Sequence, residues 1–150
     1  HQILSKDLVV LNIHNDAYDA SGDLKQIQLE YLRDLAKAEY EKGNYVLVGG
    51  DWNMVPPYFK YDGFIKNPDG KYFQHNIPAE LMPADWQWIY DPTEPTNRKT
   101  NTKYEPGKTF VTLIDFYLLS PNLKALQVKT IDQAFEFSDH QPVRLKVVLL

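Results

Sequence analysis

The stretch Tyr45-Val46-Leu47-Val48-Gly49-Gly50-Asp51-Trp52-Asn53 decides the fold. Its first four residues are aromatic or aliphatic and read as a strand. The paired glycines and the Asp-x-Asn that follow end it in a polar turn, where such side chains commonly bond their own backbone. Upstream, Leu24, Ile27, Tyr31, Leu32, Leu35 and Ala38 recur at spacings of three and four and predict an amphipathic helix over 24–42. Ser21-Gly22-Asp23 precedes that helix and Gly43 follows it as a stop, with Lys37 and Lys42 where the helix dipole favours cations. Before it, Asp7-Leu8-Val9-Val10-Leu11-Asn12-Ile13-His14 is nearly continuous in apolar character and reads as a strand buried on both faces. Strand, helix, strand at this spacing predicts a crossover unit, hence an α/β layer.

Residues 54–109 break the rhythm. They hold Pro56, Pro57, Pro68, Pro78, Pro83, Pro92, Pro95 and Pro106, eight of the ten prolines in the chain. A structureless loop of that length is unusual, so short strands or helical turns are expected there, around Ala79 to Trp88. Phe110 to Leu119, Leu123 to Ile131 and Val143 to Leu150 read as three further strands, the second with one wet face.

The chain has 150 residues, one domain's worth, and with 43% hydrophobic residues it can bury a core. Cysteine is absent, which excludes a disulfide scaffold, a thiolate metal site and a cysteine nucleophile. A net charge of −4 without long like-charge runs does not advertise a broad nucleic-acid surface. No apolar stretch approaches the ~20 residues of a helical membrane span. No secretory signal is legible at the start, and since the first residue is His1 the chain is expected to be a processed or excised piece of something longer.

Polar residues stand at strand ends or inside strands at four places: Asn12-x-His14, Gly50-Asp51-Trp52-Asn53, Asp115 within Ile114-Asp115-Phe116, and Ser138-Asp139-His140-Gln141-Pro142. Each alone has a structural explanation: an Asx turn, a hydrogen-bonded strand histidine, a strand start. Asp115 is harder to explain so, because a carboxylate among Leu113, Ile114, Phe116 and Tyr117 costs several kcal/mol if buried unpaired and demands a partner.

In this order, the four resemble the endonuclease/exonuclease/phosphatase superfamily, the deoxyribonuclease I-like metal-dependent phosphoesterases, and among them bacterial members. The resemblance implies an α/β (or α+β) fold, a four-layer α/β/β/α sandwich of about 250 residues. Residues 1–150 would be one domain, its C-terminal part. It implies that His140 with Asp115 is an acid–base pair, and that Asp51 and Asn53 position water and phosphate. His14 would be a second phosphate-binding histidine, and Asp139, with Asp51, a metal-side carboxylate. Asn12 would hold the strand end. The cofactor implied is Mg²⁺ or Mn²⁺, which suits carboxylate and phosphate oxygens. The family's metal-binding glutamate has no match, since Glu30, Glu39 and Glu41 fall on the helix. The isolated chain is therefore expected to bind metal weakly and turn over little, the parent protein being the phosphoesterase. The alternative is a non-catalytic binding or scaffold module. The implied partners are a phosphate-ester substrate (nucleic acid, phospholipid headgroup or sugar phosphate) and, covering the sheet, the missing N-terminal half or a second copy. Trp52, Trp86, Trp88, Tyr58, Phe59 and Tyr61 read as core packing or as a platform for base or sugar. The basic stretch Asn97 to Tyr104 reads as a solvated loop or a phosphate contact.

Overall fold

A computed structural model describes residues 6–19, 21–60 and 75–150. Tyr61 and the start of the chain lie outside the described residues. Strand β1 (Leu8–His14), helix α1 (Asp23–Glu41) and strand β2 (Tyr45–Asp51) form the expected crossover, with β1 and β2 parallel. After a 3₁₀ turn at Ala79–Leu81 come β3 (Gln87–Ile89), β4 (Asn97–Arg98), β5 (Val111–Thr112), β6 (Asp115–Leu119), β7 (Leu123–Thr130) and β8 (Val143–Leu149). The central sheet runs β1-β2-β6-β3, and β6 is antiparallel to both neighbours. The pairs β4–β5 and β7–β8 form separate two-stranded sheets.

Strand alternation assigns the two faces of the central sheet. Val46 and Val48 of β2 and Phe116 and Leu118 of β6 are buried toward α1, which answers with Leu29, Leu32 and Ala36. Trp52, fully buried, stacks on Phe116 at 5.0 Å between ring centres and donates its indole N–H to the Phe116 carbonyl at 3.0 Å. Trp86 and Phe59 are core residues as well, and Trp88 packs against the core half-buried, whereas Tyr58 is 79% exposed.

Three sequence expectations change. β1 is not buried on both faces: Leu8 and Val10 are 47% and 59% exposed, while Val9, Leu11 and Ile13 turn inward. The buried stripe of α1 is Leu29, Leu32 and Ala36, so Leu24, Ile27 and Tyr31 face water. Phe110 to Leu119 is two strands, because Leu113 and Ile114 leave β5 to pass into β6, and the Thr96 hydroxyl takes the Ile114 and Asp115 N–H groups at 3.0 Å each. Val143 to Leu150 forms a strand as read from the sequence; as β8 it pairs with β7, and the Tyr117 hydroxyl donates to the Val143 carbonyl.

Candidate active site

His14 ends β1, Asp51 ends β2 and Asp115 begins β6. The strand registers make His14 the partner of Asp51, and Asp51 the partner of Asp115. Register partners project to the same face, so one rung of the sheet sets an imidazole and two carboxylates in a row. Two glycines permit it. A Cβ on Gly50, whose φ is +138°, would lie 2.1 Å from the Ile13 carbonyl oxygen; a Cβ on Gly49 would meet the Tyr117 ring at 2.6 Å.

His140 arrives from outside the sheet. Its segment pairs with β4: the Arg98 N–H donates to the Asp139 carbonyl at 3.0 Å and the Gln141 N–H to the Thr96 carbonyl at 2.8 Å. The ring so delivered bonds Asp115, Nδ1 to Oδ2 at 2.9 Å. This is the partner that the strand carboxylate demanded. The hydrogen bond and charge of Asp115 raise the pKa of His140 against the opposing effect of burial, with Asp51 and Asp139 adding to the rise.

Asp51 is held differently. Its Oδ1 accepts the Asn53 N–H at 2.8 Å and its Oδ2 the Asn53 side-chain amide at 3.2 Å. Asn53 itself takes the left-handed conformation, φ +47°, and donates to the Asn15 carbonyl at 2.7 Å. The Asx-turn explanation of Gly50-Asp51-Trp52-Asn53 is thus correct for the backbone, and the same turn aims the Asp51 carboxylate into the row. The imidazoles stand on either side of Oδ2 without bonding it: His14 Nε2 at 3.6 Å and His140 Nε2 at 3.8 Å. Burial pushes the pKa of Asp51 up, the neighbouring Asp115 charge adds to this, and the Asn53 N–H and the two histidines pull the other way.

His14, Asp51, Asn53, Asp139 and His140 line one open groove of about 1190 Å³ that runs past the start of α1 and the 97–100 segment. All the predicted site residues except Asn12 therefore gather here, with Asp115 behind His140. Asn12 is exposed on β1 opposite Gly49. The Asn97 to Tyr104 segment is not simply a solvated loop: Arg98 and Lys99 line the groove, and Asn97 reaches His140 Nε2 with its amide nitrogen at 3.0 Å. Sequence reading missed Thr96 and took Asn97 only as the start of a basic stretch, since their Pro-Thr-Asn-Arg setting carries no recognisable spacing to the other residues.

Asp51, Asp115 and His140 each offer a ligand atom within 4.8 Å of the others, a group of the size that holds a metal ion. The donors are oxygens and one imidazole, suited to a hard or borderline divalent cation. Asp51 fits best: it is a half-buried carboxylate that among the described residues has no cation in hydrogen-bond contact, and burial pushes its pKa up, a desolvation that a cation would offset. Asp115 fits less well, since Oδ2 already holds His140.

By sequence, no family model matches and no curated protein is found similar. By structure, the chain is similar to ANGEL2, described as a 2',3'-cyclic phosphatase, in complex with adenosine-2',3'-vanadate. The TM-score is 0.60 at 16% identity, over 95% of this chain and 57% of that one. A second structure of ANGEL2 gives 0.58 at 17% identity, over 93% and 56%. The chain thus spans a little over half the length of these neighbours and has the fold of a partial α/β sandwich of the deoxyribonuclease I-like kind.

Proposed function

We propose that this chain is the C-terminal part of a phosphoesterase domain of bacterial type, and that the groove at the His14–Asp51–Asp115 rung hydrolyses a phosphate ester. The observation that carries the reading is the His140 Nδ1 to Asp115 Oδ2 bond at 2.9 Å, made beside Asp51 in an open groove. A histidine so oriented has Nδ1 fixed by a carboxylate and Nε2 on the side of the neutral Asn97 amide in a groove-lining residue, an arrangement suited to general acid–base chemistry once that amide yields the nitrogen. His140 moves the proton and Asp115 stabilises its protonated form. Asp51 and Asn53 hold the attacking water and the phosphate, and His14, its side chain 76% exposed, binds a phosphate oxygen and assists the leaving group. Asp51 would hold Mg²⁺ or Mn²⁺, with Asp139 of the groove lining as the second carboxylate that the family resemblance implies; the ion would supply charge compensation on the phosphate. The substrate class favoured is a phosphate ester of a nucleoside, because the structural neighbour is described as a 2',3'-cyclic phosphatase bound to an adenosine derivative.

The sheet face that carries Leu8 and Val10 is apolar and exposed. We take it to be covered in the working protein by the rest of the sandwich, or by a second copy of the chain. The isolated chain then has negligible turnover, for want of the acidic ligands that the rest would bring.

The test is hydrolysis of bis-p-nitrophenyl phosphate and of adenosine 2',3'-cyclic phosphate by the full-length protein with Mg²⁺ or Mn²⁺. His140→Ala and Asp51→Ala are measured alongside. Loss of turnover in both variants and on chelation supports the reading. Equal rates in wild type and variants leave a binding or scaffold module as the better description.

A further inference from the structure

The dipeptide Thr96-Asn97 touches both members of the acid–base pair. Thr96, 1% exposed, accepts the Asp115 N–H at its hydroxyl oxygen. Asn97 Nδ2 lies 3.0 Å from His140 Nε2 and 3.2 Å from the Asp139 carbonyl oxygen. The polarity of these bonds follows from the partners whose roles are fixed. An ionised carboxylate only accepts, so the proton shared with Asp115 sits on His140 Nδ1. A backbone carbonyl only accepts, so the end of the Asn97 side chain between Asp139 and His140 is its NH₂. The lone pair of the neutral His140 Nε2 therefore accepts from Asn97.

A ring held at Nδ1 alone can still pivot about that bond. Asp51 Oδ2, 3.8 Å from Nε2, is a carboxylate toward which it could turn. Held also at Nε2, the ring plane is fixed. The backbone pairing of β4 with residues 139–141 needs nothing from the Asn97 side chain, since it is made by the Arg98 and Gln141 N–H groups.

We propose that Asn97 is a positioning residue for His140: its amide fixes the imidazole plane, keeps Nε2 off Asp51 and yields that nitrogen to the reacting group. When Nε2 is taken, the amide keeps its bond to the Asp139 carbonyl and so stays in place. The proposal rests on the phosphoesterase reading for its kinetic consequence, but not for its geometry.

Two arms test it, using Asn97→Ala and Asn97→Asp, the latter the same size but, when ionised, without a donor. In the first, ¹⁵N NMR of the metal-free wild type at a pH where His140 is neutral should give a protonated Nδ1 and a hydrogen-bonded acceptor Nε2. In both variants the Nε2 resonance should move away from the value of an acceptor of the amide N–H, and an unmoved resonance overturns the proposal. In the second, made in the full-length protein with Mg²⁺ or Mn²⁺, kcat for bis-p-nitrophenyl phosphate should fall on the order of 10²-fold in both variants through misplacement of the base. KM should stay within about twofold, as for an interaction that matters only in the transition state. Wild-type kcat in Asn97→Asp, or a loss confined to KM, overturns it; should Asn97→Ala fail to fold, Asn97→Asp decides. A full-length wild type that hydrolyses nothing with either metal defeats the phosphoesterase reading instead, and the NMR arm still decides whether Asn97 holds the ring.

Discussion

Asp51 and Asp115 are register partners across the antiparallel strands β2 and β6, two carboxylates side by side at one end of the sheet. Like charges directly opposite one another destabilise a sheet. The protein treats the two unequally: Asp115 has an imidazole at 2.9 Å, whereas among the described residues Asp51 has only the neutral donors of Asn53 within hydrogen-bond distance. Groups with environments pushed apart in this way are those from which acid–base roles are assigned.

Asp51→Asn should therefore abolish hydrolysis while leaving the fold as stable or more stable at neutral pH. The folded-state pKa of Asp51 is raised, first by burial. A raised group favours the folded state fully below its unfolded pKa, and that contribution is lost as pH rises through the folded value. The gain of the variant should accordingly appear above the ordinary 3.8 and vanish below it. Thermal unfolding from pH 3 to pH 7 measures this; a variant less stable than wild type at pH 7 contradicts it.

Asp115→Asn should lower the pKa of His140, since the Asp115 hydrogen bond is the largest cause of its rise above 6.5. The sign for stability follows. With the folded pKa above the unfolded one, the pair contributes fully below the unfolded value and loses that contribution as pH climbs through the folded value. The stability gap between wild type and Asp115→Asn should narrow across that window. A proton NMR titration of His140 gives both pKa values directly.

Much of this was legible before any coordinates. The β1–α1–β2 crossover followed from apolar spacing, and the demand of Asp115 for a partner followed from the cost of burying a carboxylate among Leu113, Ile114 and Phe116. What was not legible depends on neighbours distant in sequence. The helix spacing is shared by two overlapping stripes, and only the packing against Val46 and Val48 selects Leu29, Leu32 and Ala36 over Leu24, Ile27 and Tyr31. A nearly continuous apolar strand reads the same whether its second face is covered within the chain or not, so the exposure of Leu8 and Val10 had no local signal. Thr96 and Asn97 act through partners 19 and 43 residues away, and Asn-Arg-Lys in a proline-rich stretch looks like a solvated loop.

Gly50→Ala should be among the most destabilising single changes in the chain. The added Cβ would overlap the Ile13 backbone oxygen at 2.1 Å, and φ +138° is a conformation that alanine rarely adopts. No flexible side chain can give way, so the β1–β2 pairing itself must shift. A loss of about 3 kcal/mol or more in denaturant unfolding is expected. A variant that unfolds like wild type would mean that β1 is free to move there.

The exposed face of β1 yields the last prediction. Leu8 and Val10 project to the side opposite α1, together with Tyr45 and Leu47 of β2 by register. Among the described residues β1 is also an edge strand, with β2 on one side only. An apolar face continuous with an open edge is a surface that proteins cover. The purified 150-residue chain should therefore self-associate at micromolar concentration, and light scattering should report a mass above that of one chain. Val10→Lys places a charge at the centre of that face, where it meets solvent in the monomer and would have to be desolvated in any assembly. It should shift the chain toward monomer with little change in thermal stability, because Val10 is 59% exposed and adds little to the core. A wild type that is already monomeric removes the second copy as the cover. A Val10→Lys chain that still assembles moves the interface elsewhere.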